Sequence, residues 1–294
     1  LTNYVPLKEL LSRDDIVVAP GCYDAFSSML VAKAGFSVAY ISGASVSFTR
    51  IGRPDIGLVS MHEVAETVSS ISEYNDIPLV VDGDTGFGNA LNVQRTVRLF
   101  ERAGANGIQL EDQTMPKRCG HLNGKTLVSA SEMVGKIKAA VDARRSEQTL
   151  IIGRTDAIAV EGFESALERA ERYVEAGVDV LFIEAPQNDE QMKTLTAQFR
   201  DRVPLLANMV EGGKTPMKGA AELQELGYSL VIFPGGLIRA YSYMASEYLS
   251  SLHETGSTNA YRNRMLDFDQ LQDVLGTESV LAAGGRYDAE NFDL

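Results

Sequence analysis

At 294 residues, with 45% hydrophobic and 23% charged side chains, the chain has material for a large core and lies outside disordered, collagenous and disulfide-scaffold compositions. Its 27 basic and 40 acidic residues leave a net charge of −13, a field that repels phosphate backbones and anionic lipid, so neither nucleic acid nor membrane is the expected partner. A small anionic substrate suits such a chain only with a local counter-charge, from a metal ion or clustered Arg and Lys.

Short runs rich in Val, Ile and Leu at 16–19, 38–41, 79–81, 107–110, 150–152, 180–183, 205–207 and 230–233 read as eight strands. Between them, segments such as 93–103, 131–143, 165–176 and 220–226 carry apolar residues at helical spacing. Alternating strand and helix implies a parallel sheet. Three helix ends repeat one phrase, Lys33-Ala34-Gly35, Arg102-Ala103-Gly104 and Glu175-Ala176-Gly177, in which glycine supplies the left-handed residue that stops a helix before a buried strand. Eight strands with repeated corners favour an α/β fold of the (β/α)₈ TIM-barrel type, one domain over 1–294 with 238–294 as a C-terminal helical extension. The nucleotide-binding alternative lacks its glycine fingerprint, since Pro20-Gly21-Cys22-Tyr23-Asp24 follows the first strand. With Cys22 and Cys119 alone there is no disulfide framework, and Leu1 to Leu10 has no signal-peptide pattern, so the expected location is the cytoplasm.

A barrel carries its chemistry at the C-terminal ends of its strands. There the third strand ends in Asp82-Gly83-Asp84 and the fourth in Glu111-Asp112-Gln113. Singly, each carboxylate could cap a helix or pair with a basic neighbour. Together, Asp82, Asp84 and Glu111 repel one another unless they hold a cation, and an oxygen-only donor set suits Mg²⁺ or Mn²⁺. The next loop places Cys119 among Lys117, Arg118 and His121, a setting for proton transfer or nucleophilic chemistry. Arg154, ending the fifth strand, can hold a substrate carboxylate bidentately or pair with Glu184 or Asp156. Glu184 and Asn208 end the sixth and seventh strands and join the substrate-binding candidates. Cys22 reads as packing, His62 as surface, and His253 is given no role.

Taken as a set, Ser42-Gly43-Ala44-Ser45, Gly52-Arg53-Pro54-Asp55, Asp82-Gly83-Asp84-Thr85-Gly86-Phe87-Gly88, Glu111-Asp112-Gln113, Lys117-Arg118-Cys119-Gly120-His121 and Arg154-Thr155-Asp156 resemble the isocitrate lyase and phosphoenolpyruvate mutase superfamily. The Cys-containing loop is similar to the branch of 2-methylisocitrate lyase, 2,3-dimethylmalate lyase and carboxyphosphonoenolpyruvate mutase. The resemblance implies Mg²⁺ on Asp82, with Asp84 and Glu111 holding its waters, and a substrate carboxylate fixed by the N–H groups of Ser42, Gly43 and Ala44 and by Arg154. It implies Cys119 as general acid, Gly120 and His121 on a lid over 114–125, Asp55 on a second mobile element, and Tyr40 at a position where methylisocitrate lyases carry a Tyr. It also implies a homotetramer that exchanges C-terminal helices between subunits. Relatives that cleave 2-methylisocitrate tend to carry Leu-Ser after the strand-eight proline, whereas Pro234 is followed here by Gly235-Gly236, which opens the substrate class to 2,3-dimethylmalate and other alkylated malates.

The function expected on these grounds is a Mg²⁺-dependent carbon–carbon lyase that cleaves a 2-hydroxy di- or tricarboxylate to pyruvate and a second carboxylate. Oxaloacetate hydrolysis or decarboxylation in the same pocket, and phosphorus–carbon chemistry as in carboxyphosphonoenolpyruvate mutase, are the alternatives. A catalytically silent barrel is disfavoured by the intact acidic trio, Arg154 and Cys119.

Overall fold

The computed structural model describes residues 4–120 and 122–292. Eight parallel strands close into a barrel in chain order: β1 (Val17–Cys22), β2 (Ala39–Ile41), β3 (Leu79–Asp82), β4 (Gly107–Glu111), β5 (Leu150–Thr155), β6 (Val180–Ile183), β7 (Leu205–Asn208) and β8 (Leu230–Phe233), which returns to pair with β1. Each expected strand is present. Around them run α2 (Ala25–Lys33), α3 (Gly43–Ile51), α4 (Met61–Ser72), α5 (Ala90–Ala103), α6 (Ala130–Ala143), α7 (Phe163–Ala176), α8 (Asp189–Phe199) and α9 (Ala220–Leu226), while the short α1 (Leu7–Leu11) precedes β1. Gly35, Gly104 and Gly177 take positive φ of 89°, 114° and 99°, as the repeated corner phrase predicts.

The period-two rule of strands divides the core into two layers. Val17, Ala19, Val38, Tyr40, Val80, Leu150, Ile152, Val180, Phe182, Leu206, Leu230 and Ile232 fill the barrel with Leu7, Leu10 and Leu11 of α1. Their neighbours Ile41, Leu79, Val81, Ile108, Ile151, Leu181, Leu205 and Val231 face outward and pack with α-helical side chains such as Phe100, Ile137, Tyr173 and Phe199. Advancing two residues along the inward rows reaches Ser42, Asp82, Glu111, Arg154, Glu184 and Asn208. The candidate site is therefore the uppermost inward layer of the barrel.

Residues 1–238 form one compact unit and 239–294 another. The second unit contains most of α10 (Gly236–Thr255), with α11 (Phe268–Leu275) and α12 (Thr277–Gly285). Within it Tyr261 is buried, its ring edge-to-face with Tyr248 and its hydroxyl directed to the Met244 carbonyl, while Tyr243, Phe268, Val280 and Leu281 are exposed. Among the described residues no helix is long and apolar enough to cross a membrane.

Candidate active site

Two differently built halves meet at the top of the barrel. In the half formed by β2, β3 and β4, Asp55, Asp82, Asp84 and Glu111 are all at least nine-tenths buried. Asp84 adopts a left-handed backbone (φ 48°), a conformation that Asp tolerates better than most L-residues and that clusters at functional sites. Lys117 is the lysine within this group, with Nζ 2.6 Å from both Asp55 and Asp84. Burial opposes its charge, but Asp84 and Asp55 outweigh that and push its pKa well above the ordinary lysine range. The carboxyls respond oppositely. Burial, against the pull of Lys117 and with the push of Asp82 and Asp55, raises Asp84 to about 7. Burial likewise carries Glu111 well above the ordinary range despite Arg154, and its Oε1 has no hydrogen-bond partner.

The N-terminus of α3 closes this half. Ser42 caps the helix by accepting from the Ser45 amide at 3.2 Å, which leaves the first-turn N–H groups of Gly43 and Ala44 without intrahelical partners. A methyl group placed on Gly43 would stand 3.0 Å from Asp82 Oδ2 and 3.5 Å from Asp84 Oδ1, so glycine lets the helix end approach the acidic side chains without displacing them.

In the half formed by β5, β6 and β7 the charges are paired. Arg154 donates to Asp156 through Nε (2.9 Å) and Nη2 (3.2 Å), with Nη1 3.2 Å from Glu111 and Nη2 3.5 Å from Glu184. Its guanidinium lies 5.2 Å from the centroid of Phe182, one inward layer below. Asn208 donates to Glu184 at 2.9 Å, leaving Asn208 Oδ1 without a partner. Burial opposes ionisation of Asp156, yet Arg154 and Lys125 overcome it and hold the carboxyl at about 2. Lys125 reaches Asp156 at 2.9 Å and also donates to the Gly120 carbonyl.

The loop after β4 is docked across both halves. Gln113 grips it by accepting from the Arg118 amide (2.9 Å) and donating to the Arg118 carbonyl (2.8 Å). Cys119 is partly exposed, and its amide donates to the Asp55 carbonyl at 3.1 Å, tying the loop to the 52–57 turn. A side chain at Gly120 would come within 2.6 Å of Arg154 Nη2 and 3.0 Å of Glu184 Cγ, so the loop backbone rests directly on the paired half. His121 lies outside the described residues. Cys22 is fully buried, with burial pushing its thiol to about 12, as fits packing, and His62 is exposed against Arg95 at 3.1 Å.

Tyr40 sits beneath the acidic half. Its hydroxyl is buried one layer below and donates to Gln109 Oε1 at 3.0 Å, and burial drives its pKa well above the ordinary phenol value. In the metal-free site it is thus a protonated donor held to Gln109. The residues that sequence reasoning missed are Lys117 as the buried counter-charge, Lys125 as the second support of Asp156, and Gln109 beneath Asp82. The inward row of β4 signals Gln109 as a buried amide two residues before Glu111.

A family model described as phosphoenolpyruvate phosphomutase matches residues 7–253. The chain belongs to the phosphoenolpyruvate mutase and isocitrate lyase superfamily. It is 43% identical to the 2,3-dimethylmalate lyase of Eubacterium barkeri over 93% of this chain and 94% of that one. It is 46% identical to the 2-methylisocitrate lyase of Aeropyrum pernix over 92% and 86% respectively. Among solved structures it resembles an oxaloacetate acetylhydrolase bound to 3,3-difluorooxaloacetate, with a TM-score of 0.91 at 32% identity covering 97% of each chain. A 2,3-dimethylmalate lyase structure gives a TM-score of 0.89 at 33% identity, covering 97% and 94%. As a member with such relatives, the chain is a carbon–carbon lyase enzyme.

The superfamily relationship implies a divalent cation, and the acidic half fits one. Four buried carboxyls face one lysine and one edge of Arg154, and Glu111 Oε1 is unsatisfied. Among the described residues no three His, Cys, Asp or Glu side chains converge tightly enough to hold a metal ion by themselves. A cation held there would therefore take its remaining ligands from water and substrate oxygens.

Proposed function

We propose that the enzyme cleaves a 2-hydroxy di- or tricarboxylate of the 2,3-dimethylmalate or 2-methylisocitrate kind, releasing pyruvate and a second carboxylate, with Mg²⁺ or Mn²⁺ held at Asp82, Asp84 and Glu111. The observation that carries this reading is the meeting of an under-neutralised carboxylate cluster with a paired Arg154, bridged by the Cys119 loop. When bound, the cation supplies Lewis acidity to the substrate's oxygens. Arg154, fixed by Asp156, orients the substrate carboxylate, and the Gly43 and Ala44 N–H groups offer it a helix N-terminus. The docked loop excludes water from the reacting carbon, so that as the 2-hydroxyl gives up its proton and its C–O bond becomes the pyruvate carbonyl, Cys119, in its thiol form, delivers the one proton the departing fragment needs. The β8 end supports the alkylated malates within this class: Pro234 is fixed by Ser45 at 3.2 Å, and no side chain projects from Gly235 or Gly236. We assign the enzyme to the cytoplasm, in keeping with two cysteines that form no disulfide, and to a homotetramer as the family resemblance implies.

A second reading, hydrolysis or decarboxylation of oxaloacetate, is favoured by the structural likeness to an oxaloacetate acetylhydrolase. One experiment separates the two. Pyruvate, oxalate and acetate are followed with Mg²⁺ present, across 2,3-dimethylmalate, 2-methylisocitrate, other 2-alkylmalates and oxaloacetate, for wild type and Cys119→Ser. The lyase reading expects turnover of an alkylated malate that falls by about 10²–10⁴-fold in the variant, the usual contribution of a general acid. Consumption of oxaloacetate alone, insensitive to Cys119, would overturn it.

A further inference from the structure

Below the acidic half, three buried side chains from three strands form a one-way chain of hydrogen bonds. Tyr40 of β2 donates to Gln109 Oε1 (3.0 Å), and Gln109 of β4 donates through Nε2 to Asp82 Oδ1 (3.2 Å) at the end of β3. The same Oδ1 accepts the Asp84 amide at 3.2 Å. Asp82 thus has one oxygen committed to two donors, while its Oδ2 receives no hydrogen bond from any described residue and faces the α3 N-terminus.

We infer that Gln109, oriented by the Tyr40 hydroxyl, is a positioning residue that makes Asp82 a one-oxygen ligand and biases the site toward a small hard cation. This rests on the cation reading given above and concerns residues that do not themselves touch the ion. An amide has two orientations, and here only one satisfies both neighbours. Turned over, Gln109 would set its carbonyl against the Asp82 carboxylate and leave Oδ1 short of a donor. Gln109 is wholly buried and Tyr40 nearly so, so bulk water does not repair a lost bond, and an unsatisfied buried polar group is costly. Burial, reinforced by Asp82, keeps the phenol protonated, so it remains a donor toward the amide. Ca²⁺ takes carboxylates in one- or two-oxygen mode at long range, whereas Mg²⁺ requires single oxygens in a tight octahedron. Tying back Oδ1 therefore penalises the larger ion more.

The test needs no substrate. Mn²⁺ binding to the purified chain is measured by electron paramagnetic resonance of the free ion, with Mg²⁺ and Ca²⁺ as competitors, and metal-free melting monitors the fold. Gln109→Met removes both hydrogen bonds at similar volume. It is expected to weaken Mn²⁺ by about tenfold, the lower end of effects from groups behind a metal ligand, and to narrow the preference for Mg²⁺ over Ca²⁺. Tyr40→Phe, a nearly isosteric change, should act in the same direction but less. Because Tyr40 acts only through Gln109, the double variant should bind no more weakly than Gln109→Met alone. Unchanged affinity in both single variants, or fully additive losses in the double, overturns the positioning role while leaving the cation reading intact. Failure of the wild type to bind Mn²⁺ removes the cation reading and this inference with it.

Discussion

The two halves of the barrel mouth hold buried acidic groups, Asp55, Asp82, Asp84 and Glu111 on one side and Asp156 and Glu184 on the other, and treat them in opposite ways. On the β5–β7 side Asp156 lies between Arg154 and Lys125 and is held at about 2, an anion already matched by cations. On the β2–β4 side Asp84 shares Lys117 with Asp55 and rises to about 7, and burial raises Glu111 as well. Burial is comparable, so the difference lies in the ratio of acids to cations, Lys117 serving the crowded half and Arg154 with Lys125 the sparser one. On one side the charges are already paired. The other carries an electrostatic debt that a divalent cation would relieve, and folding tolerates it because the paired half and the core beneath supply the stability.

The comparison can be broken most severely by removing an acidic ligand. Asp82→Ala is expected to abolish Mg²⁺ binding and lower turnover by about 10³-fold or more, since Lewis-acid stabilisation is worth several kcal/mol; calorimetric Mg²⁺ binding at wild-type strength would show that the acidic half is no cation site. Replacing the shared lysine comes next. Lys117→Met leaves Asp55 and Asp84 facing each other and should cost about 3 kcal/mol in metal-free denaturant unfolding, with part of the loss restored by Mg²⁺. Arg154→Lys tests the paired half. The two-pronged contact with Asp156 is lost, so KM should rise by about tenfold with a smaller change in metal affinity, and the reverse pattern would merge the halves into one unit.

The pH response should also divide the halves. Between the ordinary carboxylate pKa and about 7, folded Asp84 binds a proton that the unfolded chain has released, so metal-free stability falls as pH rises through that window. Asp156 works in reverse: its contribution is present above the ordinary carboxylate value and is lost as pH drops toward about 2. Melting curves with and without Mg²⁺ should therefore show a metal effect that grows from about pH 4 to pH 7, and a flat metal effect would contradict the assignment. The smallest effect is expected at the back of the site, where Tyr173→Phe removes one of the donors to Asp112, at 2.8 Å, and should cost about 1 kcal/mol with little change in Mg²⁺ affinity.

Strands, corners and the barrel are legible in the sequence because hydrophobic periodicity and helix-ending glycines are local signals. Asp82, Glu111, Arg154, Glu184 and Asn208 are legible for a related reason, as the polar continuation of inward-facing rows. Adjacent residues show where that legibility ends. Glu111 and Asp112 are adjacent acids in the sequence, of which only Glu111 belongs to the acidic trio, and they leave β4 on opposite faces. Glu111 retains an unsatisfied oxygen, while Asp112 accepts from Thr155 (2.7 Å), the Asp156 amide (3.0 Å) and Tyr173 and lies 3.4 Å from Arg169. Alternation separates their directions but says nothing of Arg169 and Tyr173, which arrive from a helix some 60 residues on. Lys117 was equally hidden, because its partners lie on two other loops and only closure of the barrel brings them together.

The first helix gives the barrel a consequence for traffic. Leu7 is fully buried, and a methyl group on Gly107 at the start of β4 would stand 3.1 Å from its side chain, so α1 acts as a stopper at the end of the barrel remote from the site. The reaction chamber is a blind well. Reactant enters and product leaves through the same mouth, at the C-terminal ends of the strands.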